Sequence, residues 1–369
     1  MTQLSRRRSR RRFLEAAGLA AAGIAVGTTA PRLVFAKTKT PVKFTLPWVS
    51  DGSNLFVYVA KERGFWDKHG LDVSIARGNG SVSAAEAIGA GRFDFGMCAP
   101  LAAILETVKG LPVMALATCA YDATMGIGVL DNGPIKTLKD LEGHKMGSTV
   151  TSGEYPFLPA FAQKAGFDLS KVTIVQVDNK VRDPLLPQHA VDAISGFAST
   201  FMAEYIATGV KAHAFLYSHY GIPNYGNTVM TQPHRVAAAP QLCAAFVDGM
   251  MQGLKATMLD PADAIKILFK AAPELALAQT ARKQIDVGTG LTIYVGAHEI
   301  VKTKGMGYII PKDYEAQTDL VMQYLAKPGD KRPAITGMMT NRFAGHLKFT
   351  TAEWAAVQKN ASTYGSYVS

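Results

Sequence analysis

Five aromatic side chains lie where a small-solute site needs flat walls. Trp48, Tyr121, Tyr155, Phe197 and Tyr225 all fall in segments that follow strand-like patterns. Such rings offer planar apolar faces, with a polar tip on Trp and Tyr. Helix starts are expected nearby, after Asp51, after Asn79 and after Ser152. Free backbone N–H groups at such ends favour anions or acceptor oxygens. Yet Asp51 and Glu154 occupy two of these ends, and a carboxylate there competes with an anionic solute. No Lys or Arg falls in the three loops, Arg77 being just outside. The pattern predicts a neutral or amino-bearing planar solute over nitrate or a sulfonate. Glu154 also has a local reading, because Thr151-Ser152-Gly153-Glu154 has the form of a capping box. Asn54, Ser83 and Ser152 at helix starts, and Cys98 at a strand end, complete the expected ligand contacts. A buried, inert Cys98 is the ordinary alternative.

The residues of catalysis and metal binding are not patterned here. The three cysteines, Cys98, Cys119 and Cys243, form no C-x-x-C pair, which excludes a disulfide scaffold and a cysteine-rich metal site. The eight His show no H-x-x-x-H spacing, and neither G-x-S-x-G nor a phosphate-binding loop occurs. The sequence predicts a binding protein without cofactor or catalytic residues.

The net charge of +10 over 369 residues is misleading. Residues 1–36 hold seven Arg and one acid, Glu15, leaving 32 basic and 28 acidic residues beyond them. That near-balance removes the case for nucleic acid as a partner. The first 36 residues read as an export leader. Ser9-Arg10-Arg11-Arg12-Phe13-Leu14-Glu15 resembles the twin-arginine motif S-R-R-x-F-L-K, with Glu15 for the final Lys. The Ala/Gly-rich run that follows, residues 16–27, is too short to span a bilayer. Val34-Phe35-Ala36 is an A-x-A-like cleavage site, so a mature chain beginning at Lys37 is expected in the periplasm.

The elements that must hold the site alternate. Strand patterns at 42–46, 71–75, 93–97 and 113–118 are separated by helical ones at 53–63, from 83 to about 90, and at 100–109. A second cycle has strands at 127–130, 145–147, 172–177 and 191–194, with helices at 155–165, 183–188 and 204–208. Such alternation with short links predicts α/β structure with parallel sheets, whose ligand edge lies beyond the strand ends. From Pro240 on the pattern is mostly helical, with Asp260-Pro261 as a helix start and Thr350-Thr351-Ala352-Glu353 as a capping box. Two cycles and a helical tail predict two lobes with a cleft between them, the tail packing back on the first lobe. Hydrophobic residues make up 48% of the chain and charged ones 18%, enough to build such cores and too little charge for disorder.

Four segments in order carry a family resemblance. Ala60-Lys61-Glu62-Arg63-Gly64-Phe65-Trp66, running on to Gly70-Leu71-Asp72-Val73, is similar to the opening A-x-x-x-G-[FY]-[FWY]-x-x-x-G-L-x-V. Ala90-Gly91-Arg92-Phe93-Asp94-Phe95-Gly96 is similar to A-G-x-x-D-x-G. Leu138-Lys139-Asp140-Leu141-Glu142-Gly143-His144-Lys145-Met146-Gly147 is similar to L-x-D-L-x-G-K-x-[IV]-[GA], with His144 inserted, and Val191-Asp192-Ala193 to V-D-A. The chain thereby resembles the substrate-binding proteins of ABC importers, in the nitrate/taurine/sulfonate and thiamine-pyrimidine-precursor group. The resemblance implies the two-lobed periplasmic-binding-protein fold of type 2, with a hinge between lobes. Lobe 1 would comprise 37–126 plus 229–369, and lobe 2 would comprise 127–228. It implies a monomer that captures a small organic solute in the cleft and delivers it to a permease and its ATPase. An aminopyrimidine fits the solute chemistry; an alkanesulfonate or nitrate is the alternative. The group also includes a pyrimidine synthase whose cysteine-rich motif this chain lacks, so an enzyme or a solute sensor is the reading from another class.

Overall fold

Two five-stranded sheets organise the chain. The computed structural model describes residues 38–179 and 181–368; the expected leader and its cleavage point lie outside the described residues. The strands are β1 (Thr40–Thr45), β2 (Leu71–Ala76), β3 (Phe95–Cys98), β4 (Met114–Thr118), β5 (Met125–Leu130), β6 (Lys145–Ser148), β7 (Thr173–Gln176), β8 (Ala193–Phe197), β9 (Ala212–Leu216) and β10 (Thr228–Thr231). The first sheet runs β2-β1-β3-β10-β4 and the second β7-β6-β8-β5-β9.

Each sheet is mixed, where the alternation predicted parallel ones. In the first, β1 pairs in parallel with β2 and β3, whereas β10 is antiparallel to β3 and β4. In the second, β6 is parallel to β7 and β8, and β5 is antiparallel to β8 and β9. The reversed strands β5 and β10 each enter from the other sheet, without a helical crossover on their own. β9 and β10 escape the sequence pattern. All four residues of β10 are buried, so it shows no alternation, and β9 is a half-buried edge strand.

The chain passes between the sheets twice, after β4 and after β9. These two crossings run side by side, with Cys119 N–H donating to Asn227 O at 2.8 Å, Gly226 N–H to Ala120 O at 3.0 Å and Ala123 N–H to Asn224 O at 2.8 Å.

The motif residues prove to be packing and backbone devices. Trp66 is 2% exposed, stacks on Phe246 at 5.2 Å and donates its indole N–H to Phe246 O at 2.9 Å. Phe246 in turn stacks on Phe95 at 4.1 Å. Asp94 accepts from Lys43 N at 2.7 Å, and Asp192 accepts from Lys145 N at 3.1 Å. The same device thus ties a neighbouring strand's backbone in both sheets.

The tail is helical. Helix Pro240–Leu259 packs on helix Phe56–Glu62 beside the first sheet. Helix Ala281–Gly296 reaches further and packs against helix Ala198–Thr208, which follows β8. The starts at Asp260-Pro261 and Thr350–Glu353 form as expected. Among the described residues no helix is long and apolar enough to cross a membrane.

Candidate functional site

A cavity of about 50 Å³ lies where the ends of both sheets meet the two crossings. Trp48, in the loop after β1, and Phe197, the last residue of β8, line it from the two sheets. Ser81, the first residue of helix Ser81–Gly89, and Ser152, in the loop after β6, add hydroxyls, and Asp122, Thr124 and Asn227 come from the crossings.

Arg182 is the basic residue of the wall. It opens the short helix Arg182–Leu185, and its side chain is only 1% exposed. Its Nε donates to Asp183 Oδ1 at 2.7 Å, and its guanidinium lies 5.2 Å from the centre of the Trp48 ring. Its Nη1 is buried without a hydrogen-bond partner. Gly196 makes room for it, since a Cβ there would lie 2.8 Å from the guanidinium carbon.

Thr124 shapes the crossing. Its φ of 54° is unusual for a β-branched residue and marks local strain. Its N–H donates to Asp122 Oδ1 at 2.6 Å. Its carbonyl accepts from Ala198 N at 2.7 Å and its Oγ1 from Ser199 N at 3.1 Å, so it caps helix Ala198–Thr208. Burial pushes the Asp122 carboxyl up from its ordinary value, opposed by that bond to Thr124.

The start of helix Ser81–Gly89 is likewise used by the protein. Val82 N–H donates to Thr151 O at 3.1 Å, and Thr151 Oγ1 donates to Asn79 O at 2.5 Å. Gly80, at φ 124°, permits this approach: a Cβ there would lie 2.0 Å from Thr151 O. Two of the expected anion-binding helix ends are therefore altered. One receives a carbonyl from the other sheet's loop, and Ser152 leads into a short 3-10 turn, Tyr155–Phe157.

Of the residues expected to contact ligand, Trp48, Ser152 and Phe197 line the cavity. Asp51 lines an adjoining outer cleft of about 560 Å³. Its Oδ1 accepts from Ser53 N at 2.8 Å, Ser53 Oγ at 2.6 Å and Asn54 Nδ2 at 3.1 Å, while burial pushes its pKa up to about 6. Asn54 is fully buried and spends Nδ2 on Val49 O at 2.8 Å as well. Ser83 lies inside its helix, because Gly80 is the cap, and Ser81 takes the place at the wall. Cys98 is buried in β3, while Cys119 lines the cavity; all three cysteines are free. Tyr121 and Tyr225 meet edge to face at 5.4 Å outside the lining, with hydroxyls bonded to Tyr308 O and to Asp313 Oδ2. Tyr155 also lies outside it, its hydroxyl accepting from Gln176 Nε2 at 3.2 Å.

Glu154 does not form the capping box with Thr151, since no regular helix starts there. It is completely buried behind the cavity wall, accepting from Ser152 Oγ, with Ser195 Oγ 3.1 Å from its Oε1. Burial raises its pKa, and the Arg182 charge opposes that rise.

Sequence reasoning missed Arg182, Asp122, Thr124 and Asn227. An Arg beside an Asp at a helix start reads as a solvated pair, and only the second sheet's path turns it inward.

The model of a family described as NMT1/THI5 like matches residues 53–264. The formylaminopyrimidine-binding protein of Halalkalibacterium halodurans is 24% identical over 232 residues, covering 62% of this chain and 69% of that protein. A 4-amino-5-hydroxymethyl-2-methylpyrimidine phosphate synthase of Legionella pneumophila is 22% identical over 246 residues, covering 66% of this chain and 77% of that one. In fold, the chain is similar to the alkanesulfonate-binding protein SsuA of Xanthomonas axonopodis pv. citri bound to MOPS, with a TM-score of 0.61 at 14% identity over 83% of this chain and 99% of that one.

Proposed function

This chain belongs to the NMT1/THI5-like family, and on that premise we propose that it captures a planar heteroaromatic solute of the thiamine-pyrimidine-precursor class for an ABC importer. The observation that carries this reading is that Trp48 and Phe197, from different sheets, line one cavity with hydroxyls and a carboxyl between them. Flat apolar walls suit a ring, and the polar groups suit its amino and ring-nitrogen atoms. The name of the Halalkalibacterium relative points to the same ligand class.

The division into lobes 37–126 plus 229–369 and 127–228 belongs to this proposal, with the paired crossings as hinge. So do the twin-arginine leader, cleavage after Ala36, the periplasmic location, the monomer and the permease partner. N-terminal sequencing of the exported protein should begin at Lys37; an intact Met1 contradicts the leader.

An alkanesulfonate is the second reading, favoured by Arg182 in the wall and by the likeness to SsuA. The carboxyls around that guanidinium weigh against it. A synthase-like reading is weakened because the three cysteines are scattered and buried, with burial pushing the Cys98 and Cys119 thiols far above their ordinary range. Native mass spectrometry of the protein purified without refolding tests the assignment. A co-purified heteroaromatic amine supports it, and an organic anion contradicts it.

A further inference from the structure

We infer that Arg182 selects the solute by a neutral hydrogen-bond acceptor, such as a formyl or ring carbonyl oxygen, and discriminates against carboxylate, sulfonate and phosphate groups. This rests on the solute-binding reading above and specifies the ligand's chemistry at that same cavity.

The donor side is geometric. A guanidinium has five N–H donors in a fixed plane. Here Nε is spent on Asp183, and Nη1 is buried with no partner, in a residue that forms part of the cavity wall. A buried unpaired donor is costly, so a ligand that brings an acceptor to this fork relieves that cost. The fork is also held in place. Trp48 faces it at 5.2 Å, and Gly196 leaves only the space that the guanidinium fills.

The charge side decides what kind of acceptor. Arg182 is ion-paired with Asp183, its charge acts on the buried Glu154, and Asp122 lies in the same lining. One guanidinium therefore serves Asp183 and Glu154, and its charge acts on Glu204 as well. An added anion would meet a neighbourhood already compensated or negative, in a site too buried for water to screen it. The backbone donors that usually receive anions are occupied too. Thr124 takes Ala198 N and Ser199 N, and Thr151 O takes Val82 N. A neutral carbonyl oxygen fills the donor's need without adding charge.

Titration calorimetry with three probes tests this: a formylaminopyrimidine, the parent aminopyrimidine without the formyl group, and the same ring bearing a carboxylate in its place. The formyl compound should bind the unmodified chain about ten- to a hundredfold more tightly than the parent, the range for a hydrogen bond to a charged donor. The carboxylate should bind more weakly than the formyl compound. In Arg182→Lys, which keeps the charge beside Asp183 but loses the fork, the formyl advantage should shrink to about threefold or less. Circular dichroism establishes that the variant is folded; if it is not, the ranking in the unmodified chain decides alone. A carboxylate that binds most tightly, or a formyl advantage that survives Arg182→Lys, overturns the role of Arg182 while leaving the pyrimidine reading intact. No binding by any of the three overturns the pyrimidine reading, and this inference with it.

Discussion

The guanidinium of Arg182 lies 5.2 Å from the centre of the Trp48 ring, so a side chain from the second sheet's layer packs on the loop that follows β1 of the first. A desolvated contact of this kind is worth up to about 2 kcal/mol. It links the two halves of the cavity wall through the same aromatic residue that is proposed to meet the solute.

Replacing Trp48 tests that double duty. Trp48 is only half-buried, so Trp48→Ala should leave the fold intact. Solute binding should weaken by roughly 1–3 kcal/mol, as for loss of a stacking platform. Calorimetry reads the loss, and unchanged affinity removes Trp48 from the site.

Gly80 holds the approach of the two loops. At φ 124°, with Thr151 O only 2.0 Å from where a Cβ would sit, Gly80→Ala cannot keep this contact. The strain should cost more than about 1 kcal/mol. Small-angle scattering should show a larger radius of gyration for the variant, with weaker solute binding. A variant as compact as the parent, with equal affinity, contradicts a latching role.

Burial raises the Asp51 carboxyl to about 6 and the Glu204 carboxyl to about 7. The folded chain then binds protons that the unfolded chain, with ordinary values of about 4, has released. Their contribution to stability is therefore present below about pH 4 and is lost as pH rises through 6 and 7. Melting temperatures measured from pH 5 to 8 should fall, and Glu204→Gln should flatten part of that fall. An unchanged slope in Glu204→Gln assigns the pH dependence to other groups.

The three free thiols should be silent. Cys98, Cys119 and Cys243 are buried, and burial holds even the Cys243 thiol up at about 11. A thiol reagent at pH 8 should leave the folded protein unmodified and label all three cysteines in denaturant. Rapid labelling of the folded protein contradicts this packing.

Much of the fold was legible because it is written in local periodicity. The alternation of strands and helices and the family motifs are spacings within a few residues, whereas the partners that Trp66, Asp94 and Asp192 take lie far away in the chain. The mixed sheets were not, because β5 and β10 take their direction from the crossings, which no local pattern encodes. The site was legible only in part, for the same reason. Trp48, Ser152 and Phe197 follow from their places at strand ends. Ser81 was missed by two residues, since Gly80 caps the helix where Ser83 had the better consensus. Glu154 carried a plausible local pattern and instead turned inward to meet Ser152 and Ser195. Arg182 is brought to the wall by long-range packing, and its absence from the nearby loops made the site look uncharged.

The most direct test of the account is a tryptophan-fluorescence titration with an aminopyrimidine and, separately, with an alkanesulfonate such as MOPS. The account predicts a saturable change with the pyrimidine at about micromolar concentration, lost in Trp48→Phe, and no response to the sulfonate. A saturable response to the sulfonate with none to the pyrimidine would contradict it.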